Sequence, residues 1–242
     1  PSAYSVKLGG SAYHDFAYDF ALPQRRRHAW LTGLQRLVYG PLLLGWLLNR
    51  AEGFIFIWST GFLKEGVDQR EFEFSFIRDC GKKLVCYFVG NDIRSPALTR
   101  ALGARLGFDV SSVYDDQAAP IRAAAGYEAE KKRVAEIAER YAGLIFNPPV
   151  DQTSYLQGPT APFIYFLAES KFQRNPEKFA DPAPPRIVHA PSSPFIKGTP
   201  LVRAAIARLR HEGYRFEYIE LIGVPNQRVW EELRMARIVL NE

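Results

Sequence analysis

Short, nearly unbroken apolar runs alternate along this chain with amphipathic stretches of helical period. Phe54-Ile55-Phe56-Ile57-Trp58, Lys83 to Val89 and Leu144-Ile145-Phe146 are too short for helices and too apolar for half-exposed strands, so they predict strands buried in a parallel sheet. Helices are predicted between them. Ser95 to Leu106 opens on a Ser-Pro start signal, and Tyr127 to Tyr141 puts Val134, Ile137, Ala138 and Tyr141 on one face with charges opposite. Past residue 186 the alternation is cleaner. Arg186 to Ala190, Phe216 to Ile222 and Arg237 to Leu240 read as strands. The first two flank a helix with Thr199 as its N-cap, Pro200 in the first helical position, a buried stripe of Leu201, Val202, Ala205, Ile206 and Leu209, and Gly213 at its end. Asn226 to Met235, with Val229 and Leu233 inward, completes a βαβαβ unit, half of a doubly wound sheet.

The run Asp181-Pro182-Ala183-Pro184-Pro185 cannot sit inside a helix or a central strand. It predicts a linker at 181–186 between a first α/β domain over residues 1–180 and a second over 187–242. Three strands and two helices would leave a sheet edge and much apolar surface open, so the second domain is expected to be incomplete. The chain opens on Pro1 and stops at Glu242 directly after a strand-like run. It is expected to be a fragment, truncated at both ends and inactive alone.

Composition adds exclusions. The 242 residues are 47% apolar and 24% charged, an ordinary globular balance that rules out fibrous and low-complexity classes. Cys80 and Cys86 are the only cysteines, in no CxxC pair, and His14, His28, His189 and His211 show no metal-ligand spacing. A disulfide scaffold is excluded, two reduced thiols in a cytoplasmic protein are expected, and no metal or cofactor is called for. The net charge of +5 is divided: residues 1–50 carry six Lys or Arg against two Asp or Glu, residues 51–185 carry 16 against 18, and residues 186–242 carry nine against six. Two local basic sites fit this better than a nucleic-acid interface, which would show one basic stripe along a recognisable module.

Ligands of doubly wound folds sit where loops leave the carboxyl ends of parallel strands and helix amino termini offer unpaired N–H groups. The loop Pro191 to Thr199 holds that position in the second domain. It brings together the hydroxyls of Ser192, Ser193 and Thr199, the charge of Lys197 and the close-approach backbone of Gly198, a set suited to a phosphate; the same residues also suit an ordinary strand-to-helix turn. In the first domain Asn91, Asp92 and Arg94 follow a buried strand and are candidates for the acceptor side, with turn capping as the other reading. Residues 25–50 start with Arg25-Arg26-Arg27-His28 and continue as a Leu- and Trp-rich helix that Gln35, Arg36, Gly40 and Pro41 interrupt. It is a poor bilayer span, and reads either as a core helix or as one lying on an anionic membrane surface.

The stretch His189-Ala-Pro-Ser-Ser-Pro-Phe-Ile-Lys-Gly-Thr199, the helix after it, Tyr218-Ile-Glu-Leu-Ile-Gly-Val-Pro-Asn226 and Glu231-Glu-Leu-Arg-Met-Ala-Arg-Ile-Val-Leu240 resembles the carboxyl-terminal domain of GT-B glycosyltransferases of family 4. Val85 to Arg94 resembles, more loosely, the strand and loop that line the inter-domain cleft in that family. The resemblance implies a GT-B fold of two Rossmann-like doubly wound domains. Its activity would be transfer of a hexose-like sugar, with retention, from a nucleoside-diphosphate donor to a glycan or lipid-linked acceptor, near the inner face of a membrane. Lys197 would contact the donor diphosphate, and Gly223 and Val224 would lie along the base. Two positions depart from the family pattern: Ala190-Pro191 stands where an arginine is common, and Val89 where a histidine is common. A non-catalytic interaction protein on the same scaffold and a nucleotide-sugar epimerase are the alternative readings.

Overall fold

The computed structural model describes residues 3–7, 18–21, 29–57, 61–63, 70–107, 126–148, 153–162 and 174–240, with side chains in the first helix from Leu37 onward. The chain divides into two compact units. The first holds the described residues up to Pro162 and the second those from Arg174.

In the first unit, β1 (Val6–Lys7) pairs in parallel with β2 (Phe20–Ala21), and α1 spans Ala29–Leu48. β3 (Gly53–Ile57), α2 (Arg70–Asp79), β4 (Lys83–Tyr87), α3 (Pro96–Leu106), α4 (Tyr127–Tyr141) and β5 (Leu144–Phe146) follow. The sheet is parallel in the order β3-β4-β5, with Phe54 opposite Leu84 and Cys86 opposite Ile145. Alternation decides its faces. Phe54, Phe56, Leu84, Cys86 and Ile145 are buried in one cluster, while Ile55, Ile57 and Leu144 on the other face are exposed. α2 packs on β4 and on α4. Burial pushes the Cys86 thiol up to about 12, so it behaves as a small apolar core residue. Cys80 is exposed.

Of the two readings of the helix at 25–50, the core reading describes its second half. Leu43, Leu44, Leu47 and Leu48 are buried against the sheet cluster. Trp46 packs on Tyr4 and Phe20 with ring centroids 5.3 and 5.2 Å away, and the Arg50 guanidinium lies 4.1 Å over its ring. Gly40 lets the chain at Phe62 cross α1: a Cβ there would sit 1.9 Å from the Phe62 carbonyl oxygen. Arg25 to His28 lie outside the described residues. Among the described residues no helix is long and apolar enough to cross a membrane.

The second unit comprises α5 (Glu177–Ala180), β6 (Arg186–His189), α6 (Thr199–His211), β7 (Glu217–Glu220), α7 (Asn226–Met235) and β8 (Ile238–Leu240). Its parallel sheet has the order β7-β6-β8, so the chain steps from β6 to one side and then crosses to the other. The proline-rich run expected to separate the units lies within this one. Arg237 on its guanidinium side holds the carbonyls of Lys178 and Asp181, and the Ala183 N–H donates to Asp181 Oδ1 at 2.9 Å.

The core here is small: Val188, Leu221 and Ala236 are buried, with Val229 and Leu233 among the side chains packed against them. The stripe expected on α6 is only partly used. Ile206 is buried, Val202 and Leu209 are half-buried, and Leu201 and Ala205 are exposed. A helix of 13 residues is about 20 Å long, whereas a four-residue strand covers about 13 Å, so the ends of α6 overhang the sheet.

Candidate functional site

The strand order of the second unit creates a reversal between β6 and β8, and the loop after β6 leaves the sheet at that point. Open α/β sheets hold ligands at such a switch point because the two flanking loops turn away from each other there. Ser192 is exposed, and Ser193, Ile196, Lys197 and Gly198 are half-buried. The loop is self-bonded: the Lys197 N–H donates to the Ser193 carbonyl at 2.9 Å and the Gly198 N–H to the Phe195 carbonyl at 3.1 Å. Gly198 caps α6 at φ +58°, a left-handed backbone that explains glycine beside the lysine.

Thr199 departs from its expected role. It is the first helical residue and not the cap, its N–H donates to the Pro194 carbonyl at 2.8 Å, and it is only 1% exposed. Pro200 has no N–H to offer. Two of the helix-start positions expected to present bare amides to an anion therefore do not. The Thr199 hydroxyl lies 2.9 Å from His189 Nε2, inside the unit. His189, 2% exposed, places its Nδ1 3.1 Å from the Leu240 carbonyl oxygen on β8.

The turn after β7 lies on the same edge of the sheet, tied by the Leu221 N–H to the His189 carbonyl at 2.9 Å. Gly223 has φ +66° and open space where a side chain would be, whereas Val224 packs against the core. Val224 is thus spent on packing. At the end of β7 stands a carboxylate that sequence reasoning passed over. Glu220 accepts from Arg203 Nη2 at 2.6 Å, from Arg203 Nε at 3.1 Å and from the Tyr218 hydroxyl at 2.9 Å. The Arg203 hydrogen bonds hold the Glu220 carboxyl below its usual range against the opposing effect of burial. Burial first, and the carboxylate second, push Tyr218 up to about 12.

The corresponding edge of the first unit is filled by its own acidic side chains. Asp92 is 1% exposed and accepts from the Gly90 N–H at 2.7 Å and from the Val89 N–H at 3.1 Å, so it caps the turn after β4. Burial raises its pKa, opposed by those hydrogen bonds and by Lys131. Asn91 is exposed, Arg94 is half-buried, and Arg94 Nη1 reaches Asn91 Oδ1 at 3.4 Å.

Glu128 lies over the start of α3. It accepts from Ser95 Oγ at 2.6 Å, from the Ala97 N–H at 2.8 Å and from the Tyr155 hydroxyl at 3.0 Å. Burial alone would raise its pKa, but these donors and Arg100 hold it below the usual carboxylate range. Glu73, fully buried, accepts from the Phe62 N–H at 3.0 Å and the Leu63 N–H at 3.1 Å and pairs with Arg70 at 3.1 Å. Two of the buried charges on helices were detectable by spacing: Glu73 falls four residues before Ile77, and Lys131 four before Ala135. Among the described residues no three His, Cys, Asp or Glu side chains gather as a metal site would require.

Comparison with protein family models, with curated proteins and with solved structures finds no match for this chain.

Proposed function

We propose that this chain is part of a glycosyltransferase of the GT-B kind. It would move a sugar from a nucleoside-diphosphate donor to a hydroxyl of a glycan or lipid-linked saccharide. One juxtaposition supports the reading: Lys197 stands beside the left-handed Gly198 on the loop that leaves the central strand at the switch point. A cation there would stabilise the negative charge that develops on the departing diphosphate, where a preorganised donor acts without reorganisation. Ser192 and Ser193 would supply hydroxyl donors on the same loop.

Calorimetry of UDP and GDP binding tests the assignment. Lys197→Ala is expected to lower the affinity about tenfold to a hundredfold, the range of a charge-assisted hydrogen bond. Unchanged affinity in that variant, or no binding by the parent chain, removes the donor site.

A second reading has its own support. The Thr199 N–H is used by Pro194 and the first unit's edge is closed by Asp92 and Glu128, which suits a non-catalytic interaction protein on the same scaffold. Nucleotide binding without sugar transfer or donor hydrolysis would favour it.

A further inference from the structure

One buried side chain at the switch point has no task in the proposed donor binding. His189 reaches three elements from the end of the central strand. Its carbonyl accepts the Leu221 N–H after β7, its Nδ1 lies 3.1 Å from the Leu240 carbonyl of β8, and its Nε2 lies 2.9 Å from the Thr199 hydroxyl that opens α6. A backbone carbonyl can only accept, so Nδ1 must carry the proton. In the neutral ring Nε2 is then an acceptor, and the Thr199 O–H must donate to it.

Both hydrogen bonds are therefore assigned in direction by one fixed group, and the hydroxyl proton of Thr199 is committed inward. With Thr199 1% exposed, this hydroxyl does not line the ligand side of the loop. It ties down, from beneath, the residue that directly follows Lys197 and Gly198.

We propose that His189 is a positioning residue of the anion site. As the neutral Nδ1–H tautomer it locks the start of α6 to the end of β8, and so fixes the backbone that presents Lys197 and Gly198. The proposal rests on the donor reading above, and it predicts that a group with no ligand contact controls ligand affinity. Conservative pairs separate its two arms. Thr199→Val removes the Nε2 partner at constant volume, and Thr199→Ser keeps it. His189→Asn keeps only a donor toward Leu240.

Two measurements on the full chain decide the matter. Nitrogen-detected NMR of the imidazole at about pH 8, above the ordinary histidine range, is expected to show the Nδ1–H tautomer. The Nε2–H tautomer would overturn the lock. In UDP calorimetry Thr199→Val and His189→Asn are expected to lose about tenfold in affinity, the equivalent of one net hydrogen bond, while Thr199→Ser stays within about twofold of the parent. Equal affinity in all four proteins overturns the role of His189 while leaving the donor site standing. Failure of the parent chain to bind UDP overturns the donor site itself, and the positioning role with it.

Discussion

The two units present the same kind of edge, the carboxyl ends of parallel strands, and finish it in opposite ways. In the first, acidic side chains fold back onto the turns: Glu73 takes the amides of Phe62 and Leu63, Asp92 those of Val89 and Gly90, and Glu128 the start of α3. In the second, the Glu220 carboxylate is bound by Arg203, while the loop at the switch point carries Lys197. Backbone N–H groups accumulate at any such edge because strands end and helices begin there, so an affinity for anions is its default property. What differs is whether the chain supplies the anion. In the first unit carboxylates of the chain accept from amides of the edge, whereas the switch-point loop of the second places a lysine beside a left-handed glycine.

The sharpest way to break this contrast is to empty the first unit's edge. Glu73→Ala would take from the half-buried Arg70 guanidinium its fully buried carboxylate partner, and from the Phe62 and Leu63 amides their acceptor. The expected loss is about 3–5 kcal/mol in denaturant unfolding, the usual cost of removing one partner of a buried pair. A loss below about 1 kcal/mol would mean that the carboxylate does not organise this edge.

Glu128→Gln is milder, because an amide keeps one acceptor over α3. About 1–2 kcal/mol is expected, in the range of a lost helix cap. The sign of its pH dependence is fixed by the lowered pKa. The stabilisation from Glu128 is complete above the unfolded carboxylate range near pH 4 and is lost as pH falls through the lower folded value. The variant should therefore show a shallower decline of stability in acid than the parent. Asp92 acts in the opposite direction: its raised pKa means that protonation relieves a buried charge, so its contribution improves as pH falls. An acid profile unchanged by Glu128→Gln would mean that the Glu128 carboxylate does not hold the start of α3.

Much of the architecture was legible from periodicity alone. Tyr127–Tyr141, Leu144–Phe146 and Asn226–Met235 have the bounds that their apolar spacing predicts, and the βαβαβ order of the second unit follows from its alternation. Spacing did not reveal how the ends of these elements are satisfied. Asp92 and Thr199 have the composition of ligand-binding residues, and the structure turns both inward, because a carboxylate or hydroxyl within reach of a local donor or acceptor satisfies it first. The proline-rich run resembled a linker by composition, but it is held in the second unit by Arg237, a contact about 56 residues away in the chain that no local pattern encodes.

The smallest expected effect refines the second unit's half of the comparison. Arg203 and Glu220 are joined on a largely exposed surface, where such a pair adds little stability, so removing the carboxylate should hardly move the unfolding midpoint. Its effect should appear in Tyr218 instead. The phenol donates to Glu220 at 2.9 Å and titrates near 12, raised mainly by burial and further by the adjacent negative charge. In Glu220→Gln the burial remains and the charge is gone, so an ultraviolet titration of tyrosinate should show this group moving part of the way back toward 10. A Tyr218 that still titrates near 12 in the variant would mean that burial alone sets it. Glu220 would then not be felt at this edge, and the comparison of the two units would turn on the switch-point loop instead.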